Sequence, residues 1–209
     1  MLPVAAGGLA LFAASARWSR RGTVSEAEER CFRLYNHAPS DAVLLTVWPV
    51  MQMGSLGGAL GAAAAFELAG RRTAAASIAA SGTVVWAGVK LVKPLVGRGR
   101  PARHLADVRV RGKEQSGLGF PSGHAAVSLT VAMVASRAVR PRAALALYAA
   151  STATAAARMY VGAHLPLDIL GGIGLGLVAG SVTVMITDRG QEEEPGECGP
   201  VTSMDHRGP

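Results

Sequence analysis

Long uncharged stretches alternate with short charged ones along this chain. No Asp, Glu, Lys or Arg occurs in residues 42–66, 73–89, 125–136, 143–157 or 169–187. A helix that crosses a bilayer needs ~20 mostly apolar residues, about 17–25 in practice. Residues 42–66, 73–89 and 169–187 reach that length unaided; 125–136 and 143–157 reach it once a flanking polar turn is counted. A sixth apolar run, 2–16, is shorter. Its Ala14-Ser15-Ala16 is like a signal-peptide cleavage site, but no Lys or Arg precedes Arg17, so the basic segment of such signals is missing. A first membrane span fits better. The pattern predicts an all-α integral-membrane bundle of about six transmembrane helices with a pocket at one membrane face. The spans fall at about 2–16, 43–68, 73–96, 122–139, 142–161 and 167–187, forming one domain over residues 1–187. A soluble protein with Ala-rich core helices is the alternative. It would have to bury all these segments within 209 residues, more interior than such a chain encloses.

The polar segments add detail. Ser25 followed by Glu28 is a capping-box pattern opening a short amphipathic helix over 26–35. Phe32, Leu34 and Tyr35 on it suit a membrane interface, or a plain connector. Gly54, Gly57, Gly58 and Gly61 in the second span, and Gly172, Gly176 and Gly180 in the last, are spaced to let helices approach closely. Residues 97–120 form the longest internal polar stretch, with Arg98, Arg100, Arg103, Arg109, Arg111 and Lys113 against Asp107 and Glu114. A loop of that length in a small helical protein is functional or disordered. The tail over 188–209, with Glu192, Glu193 and Glu194 among Gly and Pro, lacks core-forming residues and is expected to be disordered.

Charged residues are 17% of the chain, against about 25% in soluble domains, and 50% are apolar. The formal charge of +7 suits an anionic substrate or membrane surface without proving either. Under a six-span layout Cys31 and Cys198 fall on opposite faces and cannot pair, and neither has metal-ligand spacing. No internal repeat or nucleic-acid motif stands out.

Three clusters carry candidate chemistry. Lys93 and Arg100-Pro101 close the third span, bringing two cations to one surface; snorkelling side chains at a helix end are the alternative. Pro121-Ser122-Gly123-His124 opens the fourth span. There Ser122 caps the helix, Gly123 lets backbone approach a ligand, and the helix start favours an anion; an ordinary capped start with an interfacial histidine is the alternative. Between the fifth and sixth spans lie Arg158, His164 and Asp168. Asp168 is placed to accept a hydrogen bond from one ring nitrogen of His164, leaving the other as a nucleophile. An Asp168–Arg158 ion pair beside a bystander histidine would explain the same residues. Counting spans puts all three clusters on one side of the membrane, where Lys, Arg, His and helix-end N–H groups together make a phosphate pocket.

In these residues the chain resembles the type 2 phosphatidic acid phosphatase superfamily. Its signature is a Lys separated by six residues from Arg-Pro, then Pro-Ser-Gly-His, then Ser-Arg separated by five residues from His and by three more from Asp. Lys93 with Arg100-Pro101 and Pro121-Ser122-Gly123-His124 are complete matches. Ala157-Arg158, His164 and Asp168 match the third part except at the leading Ser. The resemblance covers about residues 40–187 and implies a lipid phosphate phosphatase working without metal or cofactor. It implies that Lys93, Arg100 and Arg158 bind the phosphate oxygens, helped by Ser122 and the Gly123 N–H. His164 would attack phosphorus to give a phosphohistidine, with Asp168 orienting it. His124 would protonate the leaving alkoxide and then activate water. Vanadium haloperoxidases share such a pocket on soluble scaffolds, which the spans here argue against.

The expected partners are membrane lipids and a lipid-phosphate substrate: phosphatidate, phosphatidylglycerol phosphate, or a polyprenyl phosphate or pyrophosphate. Nucleic acid is not expected, and no motif encodes an oligomeric state. Phosphotransfer to an acceptor other than water, or non-catalytic binding of anionic lipids, are the alternative functions. The resemblance implies a plasma-membrane protein with its pocket on the extracytoplasmic side. The charge bias points the other way: Arg17, Arg20, Arg21, Arg30 and Arg33 join the six cations of 97–120 on the pocket side, against Arg71, Arg72, Arg137, Arg140 and Arg142 opposite.

Overall fold

A computed structural model describes residues 1–38, 43–113 and 115–192. Glu114, Cys198 and the rest of the tail from 193 onward lie outside the described residues. Among the described residues the secondary structure is entirely helical: α1 (Leu2–Ser19), α2 (Glu26–Asn36), α3 (Val43–Gln52), α4 (Leu56–Leu68), α5 (Arg72–Val96), α6 (Gly123–Ser136), α7 (Pro141–Tyr160) and α8 (Pro166–Glu192), with one 3₁₀ turn at Pro101–Arg103.

The helix starts follow from their caps. Ser25 Oγ accepts from Glu28 N at 3.2 Å, and Ser122 is the N-cap of α6. Pro stands in the first turn of α1 and α7 and opens α8, where a missing N–H costs nothing. α5 stops at Gly97, whose φ of +71° supplies the left-handed C-cap that other residues adopt at a cost.

Three expectations are corrected. The run 43–68 is two helices, not one continuous span. After Gln52 the chain turns, and Ser55 Oγ caps a new helix by accepting from Gly58 N at 2.9 Å. The tail does not begin at 188, because α8 continues to Glu192 and Asp188 pairs with Arg137 at 3.5 Å. Phe32 leaves the interface for the core beside Ala125, Leu165 and Ile169, while Leu34 stays exposed.

α8 is the central strut. It packs on α1 and α6, and α6 packs in turn on α5 and α7; α4 leans on α5, and α3 on α7. Small residues set these distances. A Cβ at Gly172, Gly176 or Gly180 would collide with the Ser122 carbonyl, the Ala126 carbonyl or the Met133 side chain of α6. Gly8 and Gly174 do the same for α1 against α8. The close-packing role expected of the α8 glycines therefore holds. In the 43–68 run Gly54 meets the backbone of His124 in α6 and Gly58 meets the Gln52 carbonyl at the end of α3, whereas Gly61 has nothing within 4 Å.

The outer face is apolar. Leu68, Val84, Leu91, Leu145 and Ile186 are exposed, an arrangement that suits hydrocarbon rather than water. Among the described residues, α5 and α8 belong to the two stretches, Arg72–Arg103 and Pro166–Gly190, that are long and apolar enough alone to cross a bilayer. The C-terminal ends of α1, α5 and α7 and the N-terminal ends of α6 and α8 meet at one end of the bundle, joined by contacts such as Arg98 to Ser19, Ser122 to Asp168 and Arg158 to His164.

A side chain forced into the α6–α8 seam overpacks it, at about 1–3 kcal/mol. Gly176→Val should lower the thermal midpoint in detergent, while Gly61→Ala, in open space, should leave it unchanged or raise it slightly.

Candidate active site

Each cationic side chain is tied to the loop or turn it faces. Lys93, in the last turn of α5, donates from Nζ to the carbonyls of Leu118 (2.8 Å) and Gly119 (3.1 Å). Beyond Gly97 the chain reverses. Arg100 then donates from Nη1 to Ala163 O at 2.8 Å and from Nε to Ser116 O at 3.1 Å. The first cluster thereby clasps both ends of the 116–119 segment and reaches the turn before α8.

Arg158, in the last turn of α7, is buried. Its Nη1 lies 3.2 Å from Met51 Sδ, and its Nε has no hydrogen-bond partner among the described residues. After Tyr160 the chain doubles back at Gly162, with φ +76° and the Arg109 carbonyl so close that a Cβ would strike it. His164 N then bonds Arg158 O at 3.2 Å, so the turn holds the two side chains of the third cluster at a set separation.

Asp168 sits fully buried in the first turn of α8. Its Oδ2 accepts from Leu165 N at 2.9 Å, and its carbonyl accepts from Ser122 N at 2.8 Å, joining the second and third clusters. His164 Nδ1 is 3.5 Å from Asp168 Oδ2, too far for a short hydrogen bond, and has no hydrogen-bond partner among the described residues, although the Gly119 backbone lies close to the ring. The expected pair is present, as a close approach rather than the hydrogen bond anticipated. Asp168 does not pair with Arg158. Its other oxygen accepts from Arg98 Nη1 at 3.3 Å, and Arg98 is held by Glu28 through 2.9 and 2.7 Å bonds.

A cavity of about 690 Å³ opens on this end of the bundle, with Arg100, His124 and Arg158 in its wall beside Trp48, Met51 and Gln52. Lys93, Arg100 and Arg158 all stand close enough to both imidazoles to act on them electrostatically. Ser122 is fully buried at the start of α6, with Gly123 and His124 half-buried beside it. The structure thus brings every residue of the three clusters to one place. Among the described residues, no group of three or more His, Cys, Asp or Glu is arranged to hold a metal ion. Three cations with N–H donors around two imidazoles are suited to a tetrahedral oxyanion.

Sequence reasoning missed Glu28, Arg98 and Asn36. Glu28 was accounted for as a capping residue and Arg98 as one of many loop cations. Asn36 ties Arg109 to the end of α7, accepting from Arg109 N at 2.9 Å and donating to Tyr160 O at 3.1 Å. Spacing gives no sign of these partners, because they lie 70 to 124 residues away.

Fold and pocket define a helical membrane protein with three cations and two imidazoles gathered at one end of the bundle. The PAP2 superfamily model matches residues 71–191, more than half the chain, and the protein belongs to that superfamily. Two solved structures are similar. LpxE from Aquifex aeolicus aligns with a TM-score of 0.65 at 25% identity, over 74% of this chain and 92% of that one. The first transmembrane PAP2-type phosphatidylglycerolphosphate phosphatase from Bacillus subtilis aligns with a TM-score of 0.69 at 18% identity, over 87% and 96%. No match is found among curated proteins. The family and these folds support a membrane phosphatase acting on lipid phosphates.

Burial, followed by the charges of Arg158, Lys93 and Arg100, holds the His164 imidazole well below the usual histidine range, so it is neutral. Its folded pKa is below the unfolded value of about 6.5, so the unfolded chain takes up the proton first as pH falls. This histidine therefore costs stability progressively below about pH 6.5. Thermal midpoints between about pH 7.5 and 5 should fall more steeply for the wild type than for His164→Asn. Equal slopes would contradict a buried neutral imidazole.

Proposed function

We propose that this protein hydrolyses lipid-linked phosphate monoesters or pyrophosphates through a phosphohistidine on His164. The observation that carries the proposal is the convergence of the three clusters: Arg100, His124 and Arg158 line one cavity, and Lys93 and His164 stand close by outside its lining, with all three cations near enough to act on both imidazoles.

The phosphate enters among the three cations, which take its non-bridging oxygens; Ser122 and the Gly123 N–H complete the cradle. Asp168 faces His164 Nδ1, which leaves Nε2 for phosphorus. The Nε2 lone pair forms the N–P bond as the P–O bond to the lipid breaks. Charge gathers on the equatorial oxygens, where the cations stabilise it, and on the imidazole, where Asp168 does. His124 gives its proton to the leaving oxygen. The substrate's own negative charge offsets the cations around His124, which favours its protonated form once substrate binds. In the second half His124 takes a proton from water, the water oxygen bonds to phosphorus, and the N–P bond breaks to release inorganic phosphate. The residues present supply each step without a metal or cofactor.

We place the protein in the plasma membrane with the pocket on the extracytoplasmic side. The cation bias against this weakens in three dimensions. Arg98 is enclosed by carboxylates, Arg100 binds Ala163 O, and Arg111 is spent on the Asn36, Ala38 and Tyr160 carbonyls. Such charges shape the protein interior rather than the membrane-facing loops that set topology.

Phosphate release in detergent from a panel of phosphatidate, phosphatidylglycerol phosphate and polyprenyl pyrophosphate should exceed background on at least one lipid. His164→Ala should remove at least about 10³-fold of kcat, and Arg158→Ala about 10²–10³-fold. A His164→Ala protein that turns over normally would sink the catalytic assignment. One that binds lipid yet does not turn over would exclude a purely lipid-binding role. A reporter fused after Arg189 should be active only in the cytoplasm, because α8 starts at the pocket and ends at the opposite face; activity outside would reverse the orientation.

A further inference from the structure

Arg98 and Glu28 line no part of the cavity, yet they form the most enclosed polar cluster near it. Arg98 donates from Nη2 to Glu28 Oε2 at 2.7 Å, and from Nη1 to Glu28 Oε1 at 2.9 Å and Asp168 Oδ1 at 3.3 Å. The side chains of Arg98 and Asp168 have no exposure, and that of Glu28 has 5%. Glu28 Oε1 also accepts from Leu167 N at 3.0 Å, fixing the start of α8 from α2. Glu28 lies outside the stretch 71–191 that matches the family model.

Two carboxylates around one guanidinium leave a net negative charge in a dry interior. A buried ionic cluster is a poor way to gain stability, since apolar residues of similar volume do as well or better. Its geometry does something a purely structural filler could not. Arg98 takes Oδ1 of Asp168, while Leu165 N and His164 Nδ1 face Oδ2. With both oxygens committed, the carboxylate cannot swing away from the imidazole. Glu28, by holding Arg98 through both of its terminal nitrogens, keeps that guanidinium from closing on Asp168 and neutralising it.

We infer that Arg98 and Glu28 are positioning residues for phosphoryl transfer: they fix Asp168 with one oxygen turned to His164 and a net negative charge behind the nucleophile. This rests on His164 being the nucleophile. The charged and titratable groups facing His164 are Lys93 from α5, Arg100 from the loop, His124 from α6, Arg158 from α7 and Asp168 from α8. Glu28→Gln leaves all of them in place and removes one negative charge behind Asp168.

The test uses the full-length protein in detergent with the panel lipid turned over fastest. Four variants are compared with wild type: Glu28→Gln, Arg98→Lys, the double variant Glu28→Gln/Arg98→Met, and His164→Ala. Glu28→Gln and Arg98→Lys should lower kcat by ~10–100-fold, as loss of an outer partner of a reactive group does, with KM within about twofold. In Glu28→Gln the acid limb of kcat should also move to lower pH, because less negative charge supports the protonated imidazole. The double variant leaves Asp168 buried without its Arg98 partner, so it should melt below wild type and should not recover kcat. Wild-type kcat and an unmoved acid limb in folded Glu28→Gln overturn the inference, as does full recovery of kcat in the double variant. If these occur while His164→Ala is inactive, only the positioning role fails. Turnover by His164→Ala would instead remove the phosphohistidine reading on which it rests.

Discussion

The site is organised by a single buried carboxylate at the start of α8. Asp168 accepts from Leu165 N in its own turn, receives Ser122 N from the start of α6 at its carbonyl, meets Arg98 beyond the end of α5, and faces His164. A buried anion must be satisfied on all sides or it unfolds its surroundings. Satisfying this one ties the first segment to the third through Arg98, and the Asp168 backbone carbonyl brings in the second through Ser122 N. Chemistry and folding thus share a constraint: the geometry that makes Asp168 tolerable in the interior also holds the His164 imidazole beside it.

That register needs helices closer together than ordinary side chains permit. The α8 glycines admit the α6 backbone, and Gly8 and Gly174 admit α1 on the other side. In a bilayer, where apolar residues gain little by leaving lipid, close backbone packing is what holds helices together. The rear of the bundle is therefore nearly smooth, with Ala and Val dominating its core. Polar contacts gather at the pocket end, where Lys93, Arg100 and Arg111 pin loop carbonyls.

The helices were legible from uncharged runs, and the site from the spacing of Lys93, Arg100, Pro121 to His124, Arg158, His164 and Asp168, because function restricts these positions to few residue types. The break of the 43–68 run was less visible. Hydropathy there is continuous, and the turn depends on Gly54 meeting the His124 backbone, a contact between distant parts of the chain. The Glu28–Arg98 pair was hidden for a different reason: each residue already had a sufficient local explanation, as a cap and as a loop cation. Phe32 was misplaced because an amphipathic helix at a membrane surface and one packed on a protein core have the same periodicity. The Asp168–His164 pairing was foreseen from i, i+4 spacing, but the competing partners of the carboxylate, Leu165 N on Oδ2 and Arg98 on Oδ1, are not encoded in that spacing.

The account turns on where a phosphorus atom meets the protein, and orthovanadate, a tetrahedral oxyanion able to take a fifth ligand, reports that directly. An experimental structure of the vanadate complex should show vanadium bonded to His164 Nε2, its equatorial oxygens contacting Lys93, Arg100 and Arg158, and His124 beside the apical oxygen. Vanadate bonded elsewhere, or held by the cations with His164 turned away, would contradict it.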